Sequence, residues 1–198
     1  MGPSMRALTK SDTAMRYCLF DTAVGAIGVA WSPRGLTRLQ LPESTRGATE
    51  RRLRGRSADS GAGEPPPQIR QAMAAVGKYL AGKRVDFSPL VLDLGGVSDF
   101  HRQIYDAARR IGWGETVTYG ELARQAGSPG AARAVGQAMG RNPIPIIIPC
   151  HRVLASGRKI GGFSAFGGAT TKTRLLALEG VHLGDGTPLL PGLLPAPR

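Results

Sequence analysis

Apolar positions change their period along this chain. From Arg16 to Leu41 they come in short runs, Tyr17-Cys18-Leu19-Phe20 and Ile27-Gly28-Val29-Ala30-Trp31. A third run, Leu36-Thr37-Arg38-Leu39-Gln40-Leu41, alternates apolar and polar after the turn Ser32-Pro33-Arg34-Gly35. Such a pattern predicts an antiparallel meander with one face buried. Cys18, inside the first strand, reads as a small core residue. From Glu43 to Gln68 no period survives. Arg46, Arg51, Arg52, Arg54 and Arg56 crowd a stretch that can form a short basic helix, and Ser57 to Pro67 is rich in Gly, Ala and Pro. Residues 46–67 are therefore expected to be a flexible, solvated insert, with a non-specific phosphate patch as the sharper alternative.

Beyond the insert the period becomes helical. Ile69, Met73, Val76 and Leu80 share one face and Gly82 follows them, which predicts a helix and its stop. Val85-Asp86-Phe87 and Leu90-Val91-Leu92-Asp93-Leu94 read as extended, and Gly95-Gly96 marks a boundary. Phe100, Ile104, Ala107 and Ile111 predict the next helix, capped by Ser98 or Asp99. Thr118 with Glu121 three residues on makes a capping box for a helix ending near Ala126, before Gly127. Ser128 as cap and Pro129 at the first position predict another helix to about Met139. Two short helices about a glycine-containing turn outline a helix-turn-helix. Small residues, among them Ala131, Ala132 and Gly136, run along the second helix, and Arg133 is the one large group in its first half. It is either a tightly packed helix with a solvated arginine or a face for nucleic acid.

The 198 residues suffice for one full domain or two small ones. Lys and Arg number 26 against 14 Asp and Glu, a net charge of +12, which favours an anionic partner, nucleic acid before a membrane surface. No apolar run approaches the ~18 residues of a membrane span, and the start of the chain lacks the apolar core of a secretory signal. Only Cys18 and Cys150 occur, in no Cys-x-x-Cys pair. A reducing, cytoplasmic setting with free thiols is expected. His101, His151 and His182 form no ligand set with Cys18, so no metal or cofactor is expected.

The chemistry concentrates in Ile146-Ile147-Ile148-Pro149-Cys150-His151-Arg152-Val153. A thiol becomes a nucleophile when neighbours favour its thiolate, and His151 and Arg152 are adjacent. An inert, buried cysteine fits this stretch equally well. Context separates the two. Tyr119, the helix with Arg133, Asn142-Pro143, Pro149-Cys150-His151-Arg152-Val153 and Leu176-Ala177-Leu178-Glu179-Gly180 form an ordered set that resembles the O6-alkylguanine-DNA alkyltransferases (methylated-DNA–protein-cysteine methyltransferases). The resemblance is close from about Phe100 to Gly180 and looser before it.

It implies an α/β (α+β) fold: a small ribonuclease-H-like sheet domain over 1–94, a mostly helical, DNA-binding and alkyl-accepting domain over 95–182 with the helix-turn-helix, and an irregular tail over 183–198. It implies a monomer that binds double-stranded DNA containing O6-alkylguanine through the minor groove. The base flips out, Arg133 fills the vacated stack, and Ala131, Ala132 and Gly136 allow close approach. Cys150 attacks the alkyl carbon and is consumed. His151 takes its proton through a water, and Glu179 orients His151. Tyr119 crowds the 3′ phosphate and donates toward N3, while Asn142 braces the cysteine loop. Val153, Phe163, Ser164 and Met139 would form the base pocket; Phe163 stands where many members carry tyrosine, which removes a hydroxyl bond. O4-alkylthymine is a further expected substrate.

Overall fold

The computed structural model describes residues 15–56 and 61–183. The start of the chain, part of the expected insert, and the expected tail save its first residue lie outside the described residues. Strands β1 (Arg16–Thr22), β2 (Gly25–Ser32) and β3 (Gly35–Gln40) form the expected antiparallel meander, with Cys18 opposite Val29 and Val29 opposite Leu39. A two-residue β4 (Gly61–Ala62) adds parallel to β1, giving the order β3-β2-β1-β4. On the other edge, the Leu36 N–H donates to the Val91 carbonyl at 3.1 Å and the Asp93 N–H to the Leu36 carbonyl at 2.8 Å.

Two expectations fail here for one reason. The meander is not buried on one face alone, and residues 46–55 are not a flexible insert. Arg46–Gly55 is helix α1, with the Thr45 hydroxyl accepting from the Ala48 N–H at 3.1 Å. Among its arginines sit Thr49 and Leu53, both buried, and Leu53 packs with Tyr17, Ala30 and Leu19 on the outer face of the sheet. Gly28 makes that approach possible: a Cβ there would come within 2.7 Å of Leu53 Cδ2. Every residue of β2 from Ile27 to Ser32 is consequently buried. Two inward positions among five arginines leave too narrow a stripe to register as a period. Leu53→Ala is expected to destabilise the protein by about 2–5 kcal/mol, the usual range for emptying a buried leucine site; urea unfolding measures it.

Helix α2 (Pro67–Leu80) starts on a proline, and α3 (Asp99–Arg109) is capped by Ser98. β5 (Val117–Thr118) leads into α4 (Tyr119–Gln125), whose capping box is reciprocal. The Glu121 N–H donates to Thr118 Oγ1 at 3.2 Å and the Thr118 N–H to Glu121 Oε2 at 2.6 Å. The next helix, α5, runs Ala132–Gly140 and so begins later than Ser128-Pro129 predicts. Gly130, with φ +86°, is left-handed and cannot continue a helix from Pro129, so Ser128–Ala131 forms a turn instead. A short β6 (Val153–Leu154) pairs parallel with β5, and α6 (Gly168–Leu178) ends at Glu179.

One core runs through both halves. It joins Val29 and Leu39 of the sheet, Tyr79 of α2, Ile104, Leu122, Val135 and Ile148. The Leu39 N–H also donates to the Pro143 carbonyl at 3.0 Å, pinning β3 to the loop after α5. No helix among the described residues is long and apolar enough to cross a membrane.

Candidate active site

The loop after α5 is built around Asn142. Its Nδ2 donates to the Ile148 carbonyl at 2.7 Å and its Oδ1 accepts from the Ile144 N–H at 2.9 Å. Between them Ile146 is held at φ +74°, a rare conformation for a β-branched residue that costs about 1–3 kcal/mol. The burial of Ile144, Ile146, Ile147 and Ile148 offsets that cost. The loop delivers Cys150 to a short 3₁₀ turn, Cys150–Arg152, with its N–H bonded to the Ile148 carbonyl at 2.8 Å.

Behind the cysteine lies a buried polar knot centred on Glu179. His151 is fully buried, with Nε2 2.8 Å from Glu179 Oε1. Arg152 grips the same carboxylate with two bonds, Nε to Oε2 at 2.8 Å and Nη2 to Oε1 at 2.9 Å. Its Nη1 donates to the Ile111 carbonyl at 2.5 Å. The Tyr79 hydroxyl donates to Oε1 at 2.8 Å and the Gly114 N–H to Oε2 at 3.2 Å. Gly114 has φ +74°, and a Cβ there would meet the Glu179 carbonyl at 3.1 Å, so glycine lets the backbone close on the carboxylate.

These contacts decide the charges. Burial pushes the Glu179 carboxyl up, but the hydrogen bonds from His151 and Arg152 and the Arg152 charge outweigh it and hold its pKa at about 2. Burial pulls the His151 pKa down; Glu179 opposes this, and the Arg152 and Lys172 charges add to the lowering. The imidazole is therefore neutral at pH 7. Its Nε2–H faces Glu179, which leaves Nδ1 as the basic atom. That Nδ1 is buried and has no hydrogen-bond partner. Burial pushes the Cys150 thiol up, against the pull of Asn142 and the Lys172 charge. The resting group is thus a thiol, and a base must take its proton. Cys150 is expected to react with iodoacetamide at pH 7 more slowly than a free cysteine, read by mass spectrometry of its peptide.

Lys172 is fully buried on α6, with Nζ 2.5 Å from the Val153 carbonyl and 5.8 Å from the centroid of the Tyr119 ring. Burial lowers its pKa to about 8. The Tyr119 phenol is pushed up by burial and stays a donor. Tyr119, Gly136, Met139, Phe163, Ser164 and Cys150 line an open cavity of about 800 Å³ with Cys150 on its wall.

Of the residues singled out in the sequence, the structure brings Cys150, Tyr119, Gly136, Met139, Phe163 and Ser164 to this cavity, with His151, Glu179 and Asn142 behind it. Ala131, Ala132 and Arg133 lie at the start of α5, outside the lining, with Arg133 exposed. Val153 is fully buried and is not part of the lining, and its carbonyl already accepts from Lys172. Sequence reasoning missed Tyr79, Lys172, Gly114 and the two-pronged grip of Arg152. Lys172 lies three and four residues before the buried Leu175 and Leu176, a spacing that puts it on the inner face of its helix.

Residues 99–181 match the family model described as 6-O-methylguanine DNA methyltransferase, DNA binding domain. Residues 15–94 match the ribonuclease-like domain of the same enzymes. A methylated-DNA–protein-cysteine methyltransferase of Mycolicibacterium paratuberculosis is 39% identical over 168 residues, 85% of this chain and 94% of that protein. One from Methanothermobacter thermautotrophicus is 39% identical over 79% of this chain and 81% of its own length. The crystal structure of Mycobacterium tuberculosis OGT in complex with DNA superposes with a TM-score of 0.68 at 37% identity, covering 83% of this chain and 92% of that one. With both halves matched in order and Cys150, His151 and Glu179 joined in one buried cluster, the chain belongs to the O6-methylguanine-DNA methyltransferase family.

Proposed function

We propose that this protein repairs DNA by direct reversal. It draws an O6-alkylguanine, or an O4-alkylthymine, out of the duplex from the minor groove and transfers the alkyl group irreversibly to Cys150. It acts once per molecule, as a monomer, in the cytoplasm, where a reducing setting keeps the thiol free. The observation that carries this reading is the unpartnered His151 Nδ1 in a buried Glu179–His151 pair, next in sequence to a thiol on the wall of an open cavity.

An alkylated O6 inside a duplex is out of reach, so the base must leave the stack. Arg133, exposed on the slim start of α5, fills the gap, its planar cation suited to stacking and to the groove's negative potential. Tyr119 and Phe163 wall the incoming base. His151 Nδ1 accepts the Cys150 proton through a bridging water, and Glu179 fixes the tautomer that leaves Nδ1 free. Sγ attacks the alkyl carbon as the C–O6 bond breaks, and Tyr119 donates toward N3 so that guanine leaves neutral. The thioether has no good leaving group, which makes the step final.

After incubation with a duplex carrying O6-methylguanine, the Cys150 peptide is expected to gain the mass of one methyl group in a burst that stops at one equivalent. An unmodified peptide, or continued turnover, overturns the proposal. Arg133→Ala is expected to slow repair in duplex DNA by about tenfold or more, the effect of losing roughly 1–3 kcal/mol of stacking. Reaction with the free base O6-benzylguanine should stay unchanged. Because the His151 pKa is lowered, the single-turnover rate should hold as pH falls through ~6.5 and drop only below the ordinary histidine range.

A further inference from the structure

Cys150, Phe163 and Ser164 belong to the walls of two openings, not one. On one side is the cavity with Tyr119 and Met139. On the other is an opening of about 410 Å³ whose far wall is Arg38 of β3 with Arg52 and Arg56 of α1. We propose that this second opening is a subsite for the anionic end of an O6-alkyl group, so that adducts carrying a carboxylate, such as carboxymethyl, are accepted as substrates. The proposal rests on the reading of Cys150 as alkyl acceptor and adds a substrate class to it.

The cationic lining is short of counter-charge. Arg52 is already engaged, 3.1 Å from Glu43 and donating to the Ser164 carbonyl at 3.3 Å. Arg38 and Arg56 have no carboxylate partner among the described residues. Arg38 is half-buried; desolvation lowers its pKa and the neighbouring Arg56 charge lowers it further. Two guanidiniums that repel each other in a partly desolvated opening are stabilised by an anion between them.

The chemistry needs space on this side. In an in-line displacement, S, C and O lie on one axis, and every other substituent on the carbon points away from that axis. A methyl group needs no room there, but a longer group must leave sideways past the thiol. The opening beyond Phe163 and Ser164 provides that room and ends in arginines. The Cys150 proton goes to the base, the S–CH₂ bond forms, and the CH₂–O6 bond breaks. The electron pair leaves with guanine, which is protonated. The product is an S-carboxymethyl thioether whose carboxylate stays beside Arg38 and Arg56.

Single-turnover rates on three duplexes test this: O6-methyl, O6-carboxymethyl and the isosteric, uncharged O6-carbamoylmethyl guanine. Each is measured with the wild type and with the double variant Arg38→Gln, Arg56→Gln. The ratio of carboxymethyl to carbamoylmethyl rates is expected to fall about tenfold or more in the variant, the share of one charge-assisted bond. The methyl rate should not change. An unchanged ratio, or no wild-type reaction with the carboxymethyl adduct while methyl transfer proceeds, overturns the subsite and leaves the alkyltransferase reading standing. Equal slowing of all three substrates with weaker DNA binding assigns the arginines to DNA phosphates and also overturns the subsite. If methyl transfer itself is absent, the underlying function falls.

Discussion

Cys150→Ala is expected to abolish alkyl transfer outright while leaving affinity for an O6-methylguanine duplex within about threefold of the wild type. The asymmetry follows from where the thiol sits. It is the one nucleophile on the cavity wall that is backed by a proton acceptor, so no neighbouring side chain substitutes for it. Binding rests on a different surface: the exposed Arg133 on α5 and the basic charge of the chain, which is +12 overall. The small thiol contributes little to that surface, and alanine removes only one buried sulfur at a site 6% exposed. Titration of labelled duplex by fluorescence anisotropy, beside a transfer assay, separates the two quantities. Methyl accumulating elsewhere on the Cys150→Ala protein at the wild-type rate would show that another residue is the acceptor.

The second large effect belongs to Glu179. Glu179→Ala strips partners from His151, Tyr79, Gly114 and Arg152 at once, and leaves the Arg152 guanidinium in a site 7% exposed without its anion. Removing one partner of a buried ion pair typically costs about 3–5 kcal/mol. For a chain of this size that corresponds to a fall in Tm of roughly 6–20 °C at 2–4 °C per kcal/mol. Transfer should fall with it, because nothing then holds the His151 tautomer. Glu179→Gln separates the two roles: it keeps an acceptor oxygen and most of the volume but loses the charge. A variant that folds as well as the wild type yet transfers slowly would place the carboxylate in positioning. Wild-type rates in both variants would remove Glu179 from the mechanism.

The same carboxylate sets an acid limit. Its folded pKa, about 2, is depressed below the ordinary carboxyl value of 4.5. The folded state therefore binds the proton less readily than the unfolded chain. The stabilisation is fully present above the unfolded pKa and is lost as pH falls through the window from about 4.5 to about 2. Two to three units amount to about 3 kcal/mol at 1.36 kcal/mol per unit, in line with the ion-pair range for the same group. Urea midpoints measured between pH 6 and pH 3 should fall in the wild type and stay flatter in Glu179→Gln.

Signals that run along the chain survived the passage to three dimensions. The meander from Arg16 to Gln40, the capping box of Thr118 and Glu121, and the helix faces of α2 and α3 depend on neighbours within a few residues. The ordered set Tyr119, Asn142, Cys150, His151 and Glu179 was enough to point to the family, because its residue types at those separations are rarely assembled by chance. Local capping logic failed where Gly130 took a left-handed turn, since two residues of favourable cap chemistry do not outweigh one that cannot continue the helix.

What the amino-acid order by itself determined is thus the elements, the nucleophile and the candidate partners in the reaction. What only the tertiary structure decided is the state of those groups. Arg152 became the grip on Glu179, Tyr79 arrived from a helix some seventy residues before His151, and Lys172 was buried against Val153 and Tyr119. α1 became the cover of the sheet's outer face, and its arginines were brought to the cysteine's far side. The physical reason is common to all of these. Charge state, tautomer and reach depend on desolvation and on contacts between residues far apart in the chain, and neither has a period that a linear pattern can carry.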